Sequence, residues 1–592
     1  MAHVLILLRR NIDIADDVRL AEKEVRALAG AGAQVERVDV LQGLRRLELG
    51  HLAGALRPQD MKEPAKEALV VRVKLSVLPR LIERATFGEL IFARADGNES
   101  MRRLSLAYAP QAFRSNGSGD YLTVMPHQAI AEIASVVADR ARTAEEVAMA
   151  LKSAVRDTLA MAGGEPPPES LLSLLRRQSS NYLFHDVHIY KAKFFPRMVR
   201  ALLNYLLPEI EGKTVLDPFV GSGTLLLEAS RLRANAIGLD IDPLSAHMSY
   251  VKANAWHLSS DAVLAALEVA LNEVDGGLFA TRHANGDAIY EMWPHWLRRK
   301  MAPDELAAIS RDIGDGLAVA GGTKDEAVRN LVRVVLSDAI TRKIRMRFLG
   351  TGVGRFALEL SPTPIAKSFV KGIMSVYRMA AGWEALTTTT PAPLGSCLVG
   401  VADAKRLPVR TESIDAIVTS PPYLPASSGR ENYAKSKAPS LLSLGLATNE
   451  MIEQLDKRSV GGMSGPLGET EELRPHESHL VEWLRHDELR EIKAEPTRRY
   501  FLEMRASLRE IKRVLRPGSK AALVLGKQNT FYRFSTREPL YVVPSAELMA
   551  EEAEGVGLTV EESLDVRLAK INANARPRSL DAYYETILFI RK

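Results

Sequence analysis

The sequence predicts a doubly wound, Rossmann-like α/β sheet with a helical insertion, preceded by a separate small α/β domain. Residues 214–239 contain a strand, a tight glycine loop, a helix and a second strand, the βαβ half-unit that opens such a sheet. Residues 257–385 have helical periodicity and separate this unit from the next strand. Residues 1–50 show a strand–helix–strand pattern of their own. These three observations define the predicted fold class.

The bulk composition is that of an ordinary globular protein. The chain has 592 residues, 46% of them hydrophobic and 26% charged, a length that suits about three or four domains. The formal net charge of +5 is small for this length, so any contact with a polyanion must come from local basic clusters. The single cysteine, Cys397, excludes an internal disulfide and a cysteine-built zinc site, and it fits a reducing cytoplasm. No stretch has the apolar length needed to span a bilayer, so we expect no membrane partner.

Changes of pattern along the chain predict its domains. Residues 1–162 form the N-terminal α/β domain, a candidate for substrate binding, and the three prolines within 163–170 predict a linker. Residues 175–256 and 386–592 form the doubly wound domain. Residues 257–385 form the helical insertion, a candidate for target recognition.

Residue spacing predicts individual elements. The apolar residues at the start of the chain predict a first strand rather than a signal peptide. Leu20, Val25 and Leu28 lie on one face of a helix that Gly30 ends. Residues 427–497 are polar and rich in glycine, serine and charge, and they predict a long irregular segment. The last two apolar runs predict an antiparallel edge pair of strands.

The first candidate site is the loop Asp217-Pro-Phe-Val-Gly-Ser-Gly-Thr224. Gly221 and Gly223 can take positive φ and let the backbone approach a ligand closely, and the helix start beyond them offers free N–H groups to a carboxylate. Asp217 is placed to accept from the ammonium group of a cofactor, and Asp240, one βα unit later, suits the two hydroxyls of a ribose. The alternative is a simple tight turn, which the two acids at this spacing argue against. The loop has no Lys-Ser/Thr ending, which argues against a triphosphate loop.

The second candidate site is the loop Thr419-Ser-Pro-Pro-Tyr423. An exocyclic amine on a base is a poor nucleophile because its lone pair is conjugated into the ring. Hydrogen bonds from its N–H groups to the Ser420 hydroxyl and the Pro421 carbonyl would favour a pyramidal nitrogen, while Pro422 stiffens the loop and Tyr423 stacks on the base. The base must leave a duplex to reach such a loop. The alternative is a plain Pro-Pro turn with a packed tyrosine.

A third acid, Asp403, ends the strand before this loop and is the candidate for the adenine amino group of the cofactor. The stretch Asn285-Gly-Asp287 has a similar local sequence. We prefer Asp403 because one strand–loop–strand step separates it from Ser420; the alternative is an acid in a surface turn. Since both candidate loops follow strands of one sheet, we expect them to meet at its carboxyl edge.

These residues resemble the amino-methyltransferases of DNA, in particular the cytosine-N4 and adenine-N6 group. DPFVGSGT matches the glycine-rich cofactor motif of that family and TSPPY its catalytic motif, and serine before Pro-Pro-Tyr is more typical of the cytosine-N4 branch. His188-Ile-Tyr-Lys-Ala-Lys-Phe-Phe-Pro196 resembles the segment that closes over the methionine part of the cofactor, and Arg516-Pro-Gly518 resembles a late turn of the fold. The resemblance covers about residues 180–255 and 395–592.

The resemblance implies S-adenosylmethionine as the methyl donor. It implies, with the loops above, the cofactor-binding residues Phe194, Pro196, Asp217, Phe219, Gly221, Ser222, Gly223, Thr224, Asp240 and Asp403. The implied catalytic residues are Ser420, Pro421, Pro422 and Tyr423. The chain departs from many relatives in two respects: its cofactor loop precedes its catalytic loop, and a large helical insertion separates the two.

The N-terminal region is similar to the N-terminal domain of tRNA guanine-N2 methyltransferases that carry a THUMP module, and this is the alternative function. Those enzymes also place the cofactor loop first, but they usually have Asp or Asn where this chain has Ser420. That serine and the polar segment after it favour DNA over tRNA as the nucleic-acid partner. A non-catalytic protein with a degenerate methyltransferase fold and a small-molecule methyltransferase are two further classes. The intact motifs argue against the first and the Pro-Pro-Tyr loop, which suits flat amines, against the second.

Basic residues cluster in the stretch TRKIRMRFLGTGVGR. We expect them to contact phosphates without regard to base sequence, as lysines and arginines do. The candidates are Arg342, Lys343, Arg345, Arg347 and Arg355. Arg430, Lys435 and Lys437, after the catalytic loop, are candidates for the same groove, and the alternative for both clusters is a solvated helix face. No spacing of His, Asp or Glu suggests a metal.

Overall fold

The computed structural model covers the whole chain and describes most of it. The description leaves out residues 9–16, 57–66, 96–97, 110, 116–120, 166–167, 169–170, 172–180, 191–192, 276–285, 349–355, 392, 425–432, 463–470, 534–535, 537 and 568–583.

The N-terminal region contains a six-stranded antiparallel sheet. Its strands are β1 (Ala2–Leu8), β2 (Val35–Asp39), β3 (Glu67–Val73), β4 (Gly88–Ala95), β5 (Ala112–Ser115) and β6 (Tyr121–Val124), in the order β2-β3-β1-β4-β6-β5. Its helices are Asp17–Ala29, Val40–Arg46, Ala53–Leu56, Leu78–Arg84, Asn98–Ala107, His127–Ala138 and Ala144–Ala162. The predicted first strand, helix and second strand are confirmed, and Gly30, at φ +99°, ends the helix.

The later strands fall into a second large sheet and two hairpins. In chain order they are β7 (Thr214–Asp217), β8 (Asn235–Asp240), β9 (Ile344–Phe348), β10 (Phe356–Leu360), β11 (Cys397–Val401), β12 (Ile414–Thr419), β13 (Leu515–Gly526), β14 (Asn529–Tyr532), β15 (Pro539–Val543), β16 (Thr559–Arg567) and β17 (Tyr584–Arg591). The hairpins are β9–β10 and β14–β15.

The second sheet is doubly wound, as predicted. Its seven strands run in the order β11-β8-β7-β12-β13-β17-β16; the first five are parallel and β17 is antiparallel to both of its neighbours. The chain therefore builds outward from β7 in one direction and from β12 in the other. Ligands of such sheets bind at the carboxyl edge where the strand order reverses, here between β7 and β12. The last two strands pair antiparallel as predicted, although β17 lies inside the sheet rather than at its edge.

Helices pack around the second sheet and also form most of the inserted region 257–385. Those after residue 190 are Pro196–Leu206, Thr224–Arg231, Pro243–Asn254, Ser260–Asp275, Gly286–Met292, His295–Arg298, Pro303–Gly322, Glu326–Lys343, Ile365–Thr389, Tyr433–Ser443, Asn449–Arg458, Pro475–Arg485, Ala494–Val514 and Ser545–Gly555. Short 3₁₀ helices lie at Gly50–Leu52, Leu75–Val77, Leu183–Asp186, Ala255–His257 and Glu491–Lys493. The inserted region is mostly helical, as its periodicity predicts, and it also carries the hairpin β9–β10. Among the described residues, no helix combines the length and the apolar character that a membrane crossing requires.

The prediction of an irregular segment over 427–497 is wrong, because three helices lie within it. The helix Asn449–Arg458 shows why the pattern is hard to see: only Ile452 and Leu455 are buried, and Thr448 caps the first turn by accepting from the Met451 amide. Two buried positions give little periodicity, so the N-cap and tertiary contacts form a helix that hydrophobic spacing does not predict.

Buried polar contacts join the N-terminal region to the doubly wound sheet. Asn204, on the helix Pro196–Leu206, donates to the Glu24 carboxylate (2.6 Å) and to the Arg84 carbonyl (2.9 Å), and it accepts from the Arg84 guanidinium (2.9 Å). Glu24 and Asn204 have no exposed surface. The two regions therefore dock through a specific buried network, beyond the linker that connects them.

We expect Asn204→Ala to lower the free energy of unfolding by about 2 kcal/mol, because it leaves buried charged groups with fewer partners. Asn254→Ala is the matched control: its amide bonds to the Tyr250 carbonyl of its own helix at the surface, and a change below about 0.5 kcal/mol is expected. Urea unfolding of the two variants measures both changes. Equal effects would contradict the docking role of Asn204.

Candidate active site at the reversal point of the sheet

Adjacent strands end in the two residues that begin the candidate loops. Asp217 is the last residue of β7 and Thr419 the last residue of β12. The Thr419 hydroxyl donates to Asp217 Oδ1 over 2.5 Å, and both side chains are buried. The structure therefore brings the two loops together at the reversal point of the sheet, as expected from the sequence.

The glycine loop depends on its glycines. Gly221 and Gly223 have φ of +51° and +80°. A Cβ on Gly223 would lie 3.0 Å from Cα of Ser249, and one on Gly221 would lie 3.3 Å from the Tyr190 ring. Gly223 caps the helix Thr224–Arg231, whose first amide groups face the loop. The loop is thus a tight connection with backbone N–H groups at its end.

Each acid of the first site also holds the loop backbone. Asp217 Oδ1 accepts from the Phe219 amide (3.0 Å), and Asp240 Oδ2 accepts from the Gly221 amide (2.9 Å). Burial raises the pKa of Asp217 to about 7, with Thr419 and Phe219 opposing the shift and the Asp240 charge adding to it. Burial and the Asp242 charge raise the pKa of Asp240 to about 6, against the effect of Lys437. A cationic ligand group would find two closely spaced carboxyl groups here.

The segment before β7 lies over the glycine loop. The Phe194 carbonyl accepts from the Thr224 hydroxyl (3.3 Å), and Pro196 is the buried first residue of its helix. Ser222, within the loop, is buried as well. The structure thus places Phe194, the residue before the helix start at Phe195–Pro196, against the first residue of the helix that follows the glycine loop.

Lys252 is a loop-holding residue that sequence reasoning missed. Its side chain has no exposed surface, and its ammonium group donates to the Ser222 carbonyl (2.8 Å) and the His185 carbonyl (3.3 Å). Burial lowers its pKa well below the ordinary value. Nothing in the local sequence distinguishes this lysine from a solvated one.

Asp403 lies at the same edge, one strand beyond Asp240. The backbone after β11 continues the pairing, with the Ala402 amide donating to the Asp240 carbonyl (2.9 Å). Asp403 Oδ1 accepts from the Lys405 amide (3.0 Å) and lies 3.3 Å from its ammonium group. The alternative acid, Asp287, is in the first turn of the helix Gly286–Met292; Asn285 lies outside the described residues.

Two side chains from distant elements hold the catalytic loop. The Pro422 carbonyl accepts from the Tyr500 hydroxyl (3.0 Å), and the Tyr423 hydroxyl donates to Glu585 Oε1 (3.0 Å). Ser420 is half-buried, and among the described residues no hydrogen-bond partner takes its hydroxyl. Both anchors bond groups other than the Ser420 hydroxyl.

The residues of the predicted basic cluster have different surroundings in the structure. Arg342 pairs with Asp338 (2.6 Å), and Lys343 donates to the Ser361 carbonyl (2.7 Å). Arg345 lies exposed on β9. The side chain of Arg347 and the whole of Arg355 lie outside the described residues, as does Arg430.

Lys437 also contacts other side chains of the protein. It ion-pairs with Asp242, donates to Ser245 (3.0 Å) and lies 4.8 Å above the Tyr190 ring. Across the part of the chain that the structure describes, no group of three or more His, Cys, Asp or Glu is arranged to hold a metal ion.

The strand order, with acids at the ends of β7 and β8, defines the class of this fold as a doubly wound, Rossmann-like sheet. Residues 160–250, which include the covering segment, the glycine loop and Asp240, match the DNA methylase family model of N6 and N4 methyltransferases. This match confirms the predicted resemblance to DNA amino-methyltransferases in this part of the chain.

Two similar proteins are named type II methyltransferases. The chain is 33% identical over 85 residues to the type II methyltransferase M.MjaII of Methanocaldococcus jannaschii, covering 14% of this chain and 16% of that protein. It is 23% identical over 367 residues to the type II methyltransferase M.MvaI of Kocuria varians, covering 57% and 75%. The chain thus matches about a sixth of the length of the first relative and three quarters of the second.

Among solved structures, TrmN from Thermus thermophilus is similar with a TM-score of 0.28 and 12% identity, the alignment covering 100% of both chains. Because this score is low, the fold assignment rests on the strand order.

We expect Asp217→Asn to weaken S-adenosylmethionine binding at least about tenfold, because the variant keeps the acceptor for Thr419 and loses the charge opposite the ammonium group. Since the cation favours the ionised carboxyl, wild-type affinity should also fall from about pH 8 to about pH 6, through the raised pKa of Asp217, and the variant should lack this dependence. Calorimetry at both pH values measures each effect.

The free energy of unfolding should also depend on the ionisation of Asp217. The folded protein keeps the Asp217 proton up to about pH 7 whereas the unfolded chain loses it near its ordinary pKa, so this carboxyl lowers stability as pH rises through that window. Asp217→Asn should therefore be no less stable than wild type at about pH 8. The control Asp415→Asn, which alters an acid that bonds the Thr214 amide at the opposite edge, should keep cofactor affinity. Unchanged affinity in Asp217→Asn would remove Asp217 from the cofactor site.

Proposed function

We propose that the chain is an S-adenosylmethionine-dependent methyltransferase that acts on an exocyclic amino group of a DNA base, cytosine N4 first and adenine N6 second. The observation that carries this proposal is the Thr419–Asp217 hydrogen bond, which sets the glycine loop beside the Ser-Pro-Pro-Tyr loop. The match of residues 160–250 to a DNA methylase family and the names of the relatives support DNA as the substrate.

The residues present fit the cofactor. Asp217 offers a buried carboxyl for the ammonium group, the backbone at Ser222 and Thr224 offers amide groups for the carboxylate, and Asp240 offers an acid at a strand end for the ribose. Asp403, one strand further along the same edge, is the candidate for the adenine amine. When bound, the cofactor supplies an electrophilic methyl group on a sulfonium.

The catalytic loop prepares the amine. The Ser420 hydroxyl and the Pro421 carbonyl accept its two N–H hydrogen bonds, which turns the nitrogen lone pair out of the plane of the base. The Tyr423 ring provides a face for stacking. Rigid acceptors act by orientation and electrostatics, since they need no rearrangement during the transfer.

We place the nucleic-acid contacts at the hairpin β9–β10 and the residues beside it. Arg345 is exposed on this hairpin, and Arg347 and Arg355 belong to the same stretch of chain. The hairpin packs beside the helix Tyr433–Ser443, which follows the catalytic loop. Phosphate contacts at this position would hold a flipped-out base near Ser420. In this proposal the region 257–385 recognises the target and the N-terminal domain 1–162 adds substrate contacts.

The test is transfer of labelled methyl groups to DNA and to tRNA in parallel, followed by nucleoside mass spectrometry. We expect N4-methylcytosine or N6-methyladenine from DNA. N2-methylguanine from tRNA would replace the proposal by the alternative that the N-terminal resemblance suggests. Transfer to neither would leave a cofactor-binding protein without this activity.

We expect Ser420→Ala to lower kcat about a hundredfold while cofactor affinity stays unchanged, because one acceptor for the amine is lost. Ser413→Ala is the matched control. Ser413 directly precedes β12, at the end opposite Ser420, and its hydroxyl donates to the nearby Arg410 carbonyl. Its turnover should equal that of wild type. Full activity in Ser420→Ala would show that the loop does not perform the chemistry.

A further inference from the structure

Tyr423 is fixed at two points by residues outside its motif. Its hydroxyl donates to Glu585 Oε1 over 3.0 Å. Its ring lies against the end of β13, where a Cβ on Gly526 would come within 3.6 Å of it. The hydrogen bond from the hydroxyl fixes the direction of the ring, and the contact with Gly526 limits rotation of the ring plane. Together they leave a defined ring face for a ligand.

Glu585 is placed by the sheet itself. It lies on β17, opposite Gly526 of β13 on one side and Val566 of β16 on the other. Its side chain is half-buried, and burial raises the pKa of its carboxyl, which the Tyr423 hydrogen bond opposes. Within the described part of the chain, Tyr423 is the one hydrogen-bond partner of Glu585.

A partly buried carboxyl costs desolvation, and the described residues provide Glu585 with no cationic partner to offset it. The position therefore gains little stability from an acid. What the acid does provide is an acceptor at a fixed place for one particular hydroxyl. Stacking on an aromatic ring is worth about 1–3 kcal/mol per base, and it depends on the ring being presented face-on.

We infer that Glu585 is a positioning residue for methyl transfer, which acts by holding the Tyr423 hydroxyl so that the ring presents one face to the target base. This inference rests on the proposed function of the Ser-Pro-Pro-Tyr loop. Glu585 touches neither cofactor nor base in this account. Its effect passes entirely through Tyr423.

A double-mutant cycle tests this route. We expect Glu585→Leu to lower kcat/KM for DNA about tenfold, with cofactor affinity unchanged, and Glu585→Gln, which keeps an acceptor oxygen, to restore most of the loss. Tyr423→Phe keeps the ring and removes the hydroxyl, so Glu585→Leu should add little to it. Additive losses in the double variant would overturn the inference.

A fluorine signal gives a readout independent of turnover. In protein labelled with 3-fluorotyrosine, the resonance missing from Tyr423→Phe identifies Tyr423. Glu585→Leu should shift or broaden this resonance. Thr586→Val, the matched control on the same strand, removes a buried bond to Asp565 (2.7 Å) and should leave both the resonance and kcat/KM unchanged.

Methyl-transfer activity and the Tyr423 fluorine resonance test the proposed function and the positioning role of Glu585 separately. An unchanged Tyr423 resonance in Glu585→Leu would refute the positioning role even in an active enzyme. A wild-type protein that methylates no nucleic acid would refute the proposed function and with it the role in transfer, while the resonance would still decide whether Glu585 holds Tyr423.

Discussion

The hydrogen bond from Thr419 to Asp217 is the contact on which the candidate site depends. It joins the last residues of β7 and β12, the neighbouring strands at which the strand order reverses. Neighbouring strands lie about 4.8 Å apart, so the loops that leave them start side by side. Because the bond is buried, it acts in a low-dielectric environment where a hydrogen bond to a carboxyl is strong. The glycine loop and the Pro-Pro loop thus begin at residues that share this hydrogen bond. A shift of one loop at its first residue would strain the bond to the other.

The remaining anchors of the site follow one pattern. On the cofactor side, Asp240 and Lys252 bond backbone groups of the glycine loop. On the substrate side, Tyr500 and Glu585 bond the Pro422 carbonyl and the Tyr423 hydroxyl. Loop rigidity therefore comes from side chains that lie outside the two loops.

The sequence could predict what local spacing determines and little beyond it. The glycine loop, the acids at strand ends and the Pro-Pro-Tyr loop follow from short motifs, and the doubly wound sheet follows from their order. Tyr500 and Glu585 lie 78 and 162 residues from their partners, and no local pattern links residues so far apart. The pairing of Arg342 with Asp338 joins residues four apart on one helix, and the prediction of the basic cluster did not consider it. The helix Asn449–Arg458 escaped prediction because it buries too few positions to show a period.

The helical region contributes more to the site than an appended recognition module would. Its helix Glu326–Lys343 holds the segment before β7: Asp338 accepts from the Ile189 amide (2.7 Å), and His188 bonds the Ser337 hydroxyl (3.0 Å). Tyr190, the next residue, lies over Gly221. The same helix leads directly into β9, on the hairpin to which we assign phosphate contacts. Nucleic acid on the hairpin and cofactor under Tyr190 would therefore act on one continuous helix.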